Sequence, residues 1–435
     1  MIDWVFDDPD NERTMTACPN TVFLSDNNFA SGRFDMPNLF RYWYNPRYSS
    51  DNLAKNSIKY GIVNRPNKYA YNIGTWYITD YWTGRDGNIW GFANLFEYVP
   101  KEVMQDAREQ RALLIIDSTN EGCQIDWLWE FWHQSCEKYN IPPQCILHVT
   151  GNLLESRGYN SWADEKQIKD RISIVGFSHS EHQVRLWADS CKRDKQRLLD
   201  LSAGIEDLKW EDHIEYKRSN LSEIKTFNCL NRYRRQHREF FLLNLIQSDL
   251  VQHGLVSHDV LEWEDWLSQG ISPDTLELAK KQLPLVVDDP DFEFNKVMKI
   301  NHDISLKSWV SVITETHAID ESHHLFISEK IIKPINSLQP FMVLGHRDTL
   351  KVLHTMGYRT FHPLIDESYD DQPFDKRVEI ILDNIRRIHA IKDKMSWLEQ
   401  FKEICMHNKQ VFHSRKFFAT QAYRDIMAVY DNFNG

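Results

Sequence analysis

The sequence ALLIIDSTNEGCQIDWLWEFWHQSCEKYNIPPQCILHVT covers residues 112–150 and decides the fold class. It opens with a continuous apolar run ending at Asp117, which is typical of a parallel strand buried on both faces. An amphipathic helix is predicted over 125–139, Pro142 breaks the pattern, and a second strand is predicted over 145–150. Strand, helix and strand in succession form a βαβ unit, so the sequence predicts an α/β fold.

The same alternation of predicted strands and helices recurs further along the chain. Strands are predicted over 171–177, 225–230, 309–314 and 340–345, and helices over 235–247, 329–338 and 349–356. Residues 375–433 are almost wholly helical in pattern, and the charged stretch 192–224 is typical of a linker. We therefore expect two Rossmann-like domains that face a cleft, over 1–210 and 225–400. The helices of 401–435 would form a C-terminal tail that packs back on the first domain.

Composition and charge exclude several classes of protein. The chain has 435 residues, 42% hydrophobic and 26% charged, which is ordinary for a globular protein and excludes a disordered one. Its formal net charge is −12, from 51 basic and 63 acidic residues, and this disfavours nucleic acid as the main partner. The seven cysteines are scattered without a C-x-x-C pair, which indicates reduced thiols. No signal-peptide pattern or membrane span is found, so we expect a cytoplasmic protein.

A local basic cluster stands out against this acidic background. The segment KTFNCLNRYRRQHR, residues 225–238, carries five basic residues and no acidic one, and it joins a predicted strand to a predicted helix. A helix N-terminus offers free N–H groups and the positive end of a dipole, and arginines add forked donors for phosphate oxygens. A diphosphate site and a solvated basic face both fit this pattern. The candidate diphosphate contacts are Asn231, Arg232, Arg235 and Arg238.

A second group of polar residues lies around the predicted helix of 329–338. Its candidate members are Glu315, Thr316, Ser328, Glu329, Lys330 and Lys333. The two carboxylates suit the hydroxyl groups of a ribose, and the two lysines, three residues apart on one helical face, suit a phosphate. A structural interpretation also fits, in which Ser328 caps the helix and Glu329 complements its dipole.

The order and spacing of these motifs resemble a known family. T-E-T at 314–316, F-I-S-E-K-I-I-K-P-I at 326–335, Q-P-F-M-V-L-G at 339–345 and G-Y-R-T-F at 357–361 are similar to the nucleotide-sugar-binding half of GT-B glycosyltransferases of phages, large viruses and bacteria. They also resemble the donor domain of α1,3-fucosyltransferases. The resemblance covers roughly residues 225–375, which is less than half of the chain.

The resemblance implies a reaction and a division of labour. The second domain would bind a nucleotide diphosphate-sugar donor, and the first would bind a carbohydrate or glycoconjugate acceptor. The residues named above would contact the donor's diphosphate and ribose. A base from the first domain would take the proton of the acceptor hydroxyl, and the candidates are Glu121 and Asp117, which follow the strand of 112–116. A turn residue is the alternative interpretation of Asp117.

Further expectations concern the mechanism and the alternatives. We expect metal-independent transfer, with inversion at the anomeric carbon, and no resident cofactor or metal. The alternatives are a viral enzyme that glycosylates DNA bases, which the net charge disfavours, and a nucleotide-sugar or glycan-binding module without turnover. If the protein is viral, the expected location is the host cytoplasm. No G-x-S-x-G or P-loop motif supports hydrolase or ATPase chemistry.

Overall fold

The computed structural model describes much of the chain in separate ranges. These are residues 4–6, 59–61, 65–74, 96, 99–119, 122, 126–182, 184–185, 208–231, 234–263, 265–287, 302–318, 323–415 and 420–435. The described residues form an α/β structure with two parallel sheets, as the sequence predicts. They divide into two compact units. The first comprises the described parts of Met1–His179, His323–Phe326 and Lys416–Gly435, and the second those of Ser180–Ser322 and Ile327–Arg415.

The first unit contains a six-stranded sheet in which the neighbouring strands run parallel. The strand order is β2-β1-β3-β4-β5-β6. Its strands are β1 (Trp4–Phe6), β2 (Lys59–Gly61), β3 (Tyr69–Gly74), β4 (Ala112–Ser118), β5 (Ile146–Thr150) and β6 (Ser173–Gly176). Its helices are α1 (Lys101–Arg108), α2 (Asp126–Tyr139), α3 (Glu155–Glu165) and, from the end of the chain, α13 (Gln421–Asn434).

The core of the first unit explains why its middle strands were predictable. Ala112 to Ile116 of β4 are each fully buried, because helices cover both faces of a parallel sheet. Trp129 and Trp132 of α2 pack into the same core. The predicted elements over 112–150 are therefore confirmed to within a residue or two at each end.

The second unit contains a four-stranded parallel sheet with the strand order β10-β9-β7-β8. Its strands are β7 (Lys225–Asn231), β8 (Gly254–His258), β9 (Ser308–Thr314) and β10 (Phe341–Leu344). Its helices are α4 (Trp210–Ser219), α5 (Gln236–Gln247), α6 (Pro273–Gln282), α7 (His302–Leu306), α8 (Glu329–Asn336), α9 (Thr349–Thr355), α10 (Phe374–Ala390), α11 (Lys394–Glu399) and α12 (Lys402–Ser414). In the connections β7–α5–β8 and β9–α8–β10, α5 begins shortly after β7, and α8 begins after the loop of residues 315–328 that follows β9.

Two parts of the second unit differ from the sequence prediction. Strand β8 was not predicted, since GLVSH is short and mixes glycine and polar residues with its apolar ones. The predicted linker over 192–224 is wrong in its second half, where α4 forms. Trp210 and His213 of this helix are buried, and its many charged residues on the outer face hide that pattern.

The helical pattern of the C-terminal region is confirmed, but its helices do not all belong to one unit. Helices α10, α11 and α12 lie in the second unit, whereas α13 lies in the first and packs against β6. Within the described ranges, no helix is both long and apolar enough to cross a membrane.

Candidate functional site

The candidate site of the second unit begins where β7 and β9 end side by side. Asn231 is the last residue of β7 and Thr314 the last of β9, and both are buried. The Thr314 hydroxyl donates a hydrogen bond to Oδ1 of Asn231. The Asn231 backbone N–H donates to Ser257 Oγ of β8 at 3.2 Å. Asn231 thus joins the carboxyl ends of three neighbouring strands, the edge at which α/β sheets bind their ligands.

Glu315 follows β9 directly and is fully buried. Its Oε1 accepts from the Ser328 N–H at 3.0 Å, and its Oε2 accepts from the Ser328 hydroxyl at 2.5 Å and the Thr316 N–H at 3.0 Å. Burial raises the pKa of Glu315, although the positive charge of Lys330 and the bonds from Ser328 act against that rise. The carboxyl group therefore fixes the loop after β9 to the start of α8, and a contact with ribose stays a prediction.

Ser328 carries this arrangement into the helix. Its Oγ accepts from the Lys330 N–H at 3.2 Å, so Ser328 is the N-cap of α8 as the structural interpretation predicted. Lys330 Nζ lies 2.9 Å from Glu329 Oε1 and 3.4 Å from Thr316 Oγ1. Burial acts to raise the pKa of Glu329, but the charges of Lys330 and Lys333 outweigh it and the pKa is lowered. The start of α8 therefore holds an ionised carboxylate between two lysines.

The start of α5 brings the basic cluster to the same edge. Arg235 is exposed at the N-cap position of α5, and its side chain makes no capping hydrogen bond to this helix. Arg238 is buried, with 3% of its surface exposed, and its Nη2 donates to the Glu315 carbonyl at 3.0 Å. Burial lowers the pKa of Arg238, and the charges of Glu315, Arg235 and Glu329 also act on it. These interactions place α5 and α8 around one group of charges. Arg232 lies outside the described residues.

Sequence reasoning missed two residues that organise this edge. His237 Nε2 donates to the Glu315 carbonyl at 2.9 Å, and burial lowers the pKa of His237 to about 3, so the ring is neutral near pH 7. Glu239 is fully buried and accepts from the N–H groups of Glu262 and Trp263 at 2.9 and 3.1 Å. These two hydrogen bonds fix the loop after β8 to α5. The sequence did not indicate this role for Glu239, because β8 itself was not predicted.

The two base candidates lie in the first unit. Asp117 is buried near the end of β4, and its Oδ1 accepts from the N–H and the hydroxyl of Thr119 at 3.1 and 2.8 Å. That pattern is an Asx turn, which agrees with the structural interpretation of Asp117. Glu121 lies outside the described residues. A base role for either residue stays a prediction.

Glycine and histidine meet beside this loop. A Cβ atom added at Gly122 would overlap the side chain of Phe326, and the Gly122 carbonyl is hydrogen-bonded to Nε2 of His324. Gly122 is therefore required by close packing within the first unit. Across the ranges that the structure covers, no three or more His, Cys, Asp or Glu side chains cluster as metal ligands would.

Comparisons with known proteins add little to this geometry. No protein-family model and no curated protein matches the sequence. Five chains among solved structures match. One is α,α-trehalose 6-phosphate synthase from Burkholderia multivorans, with 8% sequence identity and a TM-score of 0.41, over 97% of this chain and 80% of that chain.

Proposed function

We propose that this chain is a glycosyltransferase of the GT-B type, which moves a sugar from a nucleotide diphosphate-sugar to a hydroxyl of a carbohydrate or glycoconjugate. One observation carries the proposal. Two helices, α5 and α8, begin at the carboxyl ends of the neighbouring strands β7 and β9, with Arg235 and Lys330 beside their starts. The resemblance of residues 225–375 to nucleotide-sugar-binding domains supports the same assignment.

The diphosphate is assigned to the start of α5 and to Lys330 and Lys333. The first N–H groups of α5 point out of the helix, and a phosphate oxygen can accept from them. Arg235 is exposed and adds a forked donor for the phosphate. The buried Arg238 instead stabilises the loop after β9 by donating a hydrogen bond to the Glu315 carbonyl. As the glycosidic bond breaks, negative charge builds on the leaving diphosphate, and these donors stabilise it without a metal ion.

The ribose is assigned to Glu329 rather than to Glu315. Both oxygens of Glu315 already accept hydrogen bonds from Ser328 and Thr316. The Glu329 side chain is 14% exposed, and its lowered pKa keeps it ionised and able to accept from a diol.

The remaining steps are proposed on the resemblance. A carboxylate of the first unit, Glu121 or Asp117, takes the proton of the acceptor hydroxyl while that oxygen attacks the anomeric carbon. The nucleoside diphosphate leaves from the opposite face, so the configuration inverts. Substituting Glu121→Gln and Asp117→Asn separately, and measuring transfer at saturating donor, identifies the base as the residue whose loss lowers kcat without weakening donor binding.

A nucleotide-binding series tests the proposal. Thermal-shift titration with UDP, GDP, CDP, dTDP and CMP should give a clear stabilisation with one diphosphate. Arg235→Ala and Lys330→Ala should each weaken that binding by about 10-fold or more, since each removes a charged hydrogen bond of about 1.5 kcal/mol. Lys376→Ala is the matched control, because Lys376 is an exposed lysine of α10 that pairs only with Glu379 among the described residues.

Each outcome of this series decides between the candidate functions. Unchanged affinity in Arg235→Ala, Lys330→Ala and Glu329→Ala would refute the assigned site. Binding without hydrolysis or transfer of the matching sugars would favour a binding module. Transfer to hydroxymethylated duplex DNA, with retarded migration at physiological salt, would favour the DNA-modifying alternative. Activity that requires a divalent metal and disappears with EDTA would contradict the metal-independent mechanism.

A further inference from the structure

The first unit brings a serine, a histidine and a glutamate into a line at the ends of β4 and β5. Ser118 Oγ lies 2.5 Å from Nε2 of His148, and Nδ1 of His148 lies 3.2 Å from Oε1 of Glu155. The other contact of the Ser118 hydroxyl is a longer one of 3.4 Å to the Val149 carbonyl. A hydroxyl, an imidazole and a carboxylate in this order are the parts of a nucleophilic triad, which geometry rather than sequence order defines.

The sheet register produces this line. Strands β4 and β5 are parallel neighbours in which Ser118 pairs with Thr150 and Ile116 pairs with His148. Since side chains alternate along a strand, Ser118 and His148 lie on the same face of the sheet. Glu155 is the first residue of α3, which follows β5 after a short loop, so its carboxylate returns to the end of the strand that carries His148.

Burial and hydrogen bonds fix the two inner members. His148 and Glu155 are 1% and 2% exposed, whereas Ser118 is partly exposed. Trp129 Nε1 donates to the same Oε1 of Glu155 at 3.2 Å, and the Trp132 ring lies 5.5 Å from the imidazole. Of the three residues, Ser118 is therefore the one that keeps some exposed surface.

The charge state of Glu155 supports the same order of proton transfer. Burial acts to raise the pKa of Glu155, but the electrostatic attraction of the neighbouring His148 and the hydrogen bonds from Thr150 and Trp129 outweigh it, so the pKa is lowered. An ionised carboxylate 3.2 Å from Nδ1 favours a proton on that nitrogen over one on Nε2. Nε2 then carries the lone pair that faces Ser118.

We propose that Ser118 is the nucleophile of a second, acyl-transferring site in the first unit, with carboxylic esters as the substrate class. Ser118 Oγ bonds to the carbonyl carbon while its proton passes to Nε2 of His148. When the tetrahedral intermediate collapses, the ester C–O bond breaks and His148 gives that proton to the leaving alcohol. Water then attacks the acyl-serine in the same way, releasing the acid. The neighbouring Thr119 is buried and its hydroxyl donates to Asp117, so it is not the nucleophile.

A fluorophosphonate probe tests this site without any knowledge of the natural substrate, and independently of donor binding in the second unit. We expect the wild-type chain to gain one covalent adduct that peptide mapping places on Ser118. His148→Gln should slow labelling by about 100-fold or more, the lower range for a lost general base, and Glu155→Gln should slow it less. Ser118→Ala should abolish labelling and the hydrolysis of p-nitrophenyl butyrate.

A matched serine controls for non-specific reaction. Ser161 is an exposed residue of α3 whose hydroxyl donates to the Arg157 carbonyl at 3.2 Å, and Ser161→Ala should label like the wild type. Circular dichroism confirms that each variant is folded. An unlabelled wild type, under conditions that saturate a serine protease, would overturn the proposal even if the buried variants fail to fold. Labelling away from Ser118, or ester hydrolysis unchanged in Ser118→Ala, would overturn it equally.

Discussion

Replacing Ser328 by alanine tests whether the start of α8 is held by the buried carboxyl group of Glu315. The Ser328 hydroxyl has two roles, since it accepts from the Lys330 N–H at 3.2 Å and donates to Glu315 Oε2 at 2.5 Å. Loss of an N-cap costs about 1 kcal/mol, and loss of a hydrogen bond to a charged group costs about 1.5–3 kcal/mol. We therefore expect Ser328→Ala to lower the free energy of unfolding by about 2.5–4 kcal/mol.

A second helix of the same unit supplies the matched control. Ser272 is the N-cap of α6, where its hydroxyl oxygen accepts from the Thr275 N–H at 3.1 Å and contacts the Thr275 hydroxyl at 2.8 Å. No buried carboxylate is involved, so Ser272→Ala should cost only about 1 kcal/mol. Urea unfolding followed by circular dichroism measures both variants, provided that the slope with urea is unchanged.

The difference between the two variants decides the matter. If Ser328→Ala costs no more than Ser272→Ala, the bond to Glu315 contributes nothing and the account of the α8 start is wrong. Under the proposed function, Ser328→Ala should also weaken binding of the stabilising nucleotide, whereas Ser272→Ala should leave it unchanged.

Two further expectations follow from the buried groups. The pKa of His237 is lowered from 6.5 to about 3 in the folded protein. As the pH falls below 6.5, the unfolded chain binds a proton at this histidine and the folded chain does not, so the free energy of unfolding decreases. Between pH 6.5 and 5 the wild type should lose about 1.5 kcal/mol more than His237→Gln, whose amide keeps a donor for the Glu315 carbonyl, and equal losses in urea titrations would contradict this. Gly122→Ala should cost about 1–3 kcal/mol because its methyl group overlaps Phe326. Gly435→Ala is the control, since its Cβ would lie 3.6 Å from the Asp431 carbonyl oxygen, and a similar thermal stability for both variants would contradict the packing argument.

Strands that are buried on both faces were predictable from the sequence, whereas the partly buried strand β8 was not. Strand β4 is an unbroken apolar run because each residue from Ala112 to Ile116 is covered by other parts of the fold. Strand β8 begins with the half-buried Gly254 and Leu255, and its remaining residues include Ser257 and His258. Such a strand is stabilised mainly by pairing with its neighbour β7. That pairing produces no alternating apolar and polar pattern in the sequence of β8.

The same distinction applies to the candidate site. Position directly after a strand was enough to select Glu315, and position at the start of a helix was enough to select Ser328 and Lys330. Residue type alone did not distinguish the buried Arg238 from the exposed Arg235, since that difference depends on which side of α5 faces β9. Which arginines of a basic cluster are buried and which are exposed therefore becomes clear only from the orientation of the helix in the fold.

Side chains that only the fold brings together were beyond sequence reasoning. Ser118 and His148 are 30 positions apart and belong to different strands. Their contact depends on the register of β4 against β5, which a shift of one residue would destroy. No local motif records that register, so the absence of G-x-S-x-G carried no information about this serine.

The membership of α13 in the first unit has a consequence for synthesis of the chain. Ala422, Ile426 and Tyr430 of α13 are buried, and Lys68 Nζ donates to the Phe433 carbonyl at 2.6 Å. Domains usually fold as units during translation, and the amino-terminal domain folds first. In this chain the first unit cannot be completed until the second unit and α13 have been synthesised. The apolar side chains at β6 that pack against α13 stay uncovered until then. A chain truncated after the second unit's last helix would leave this nascent surface open to chaperones and to aggregation.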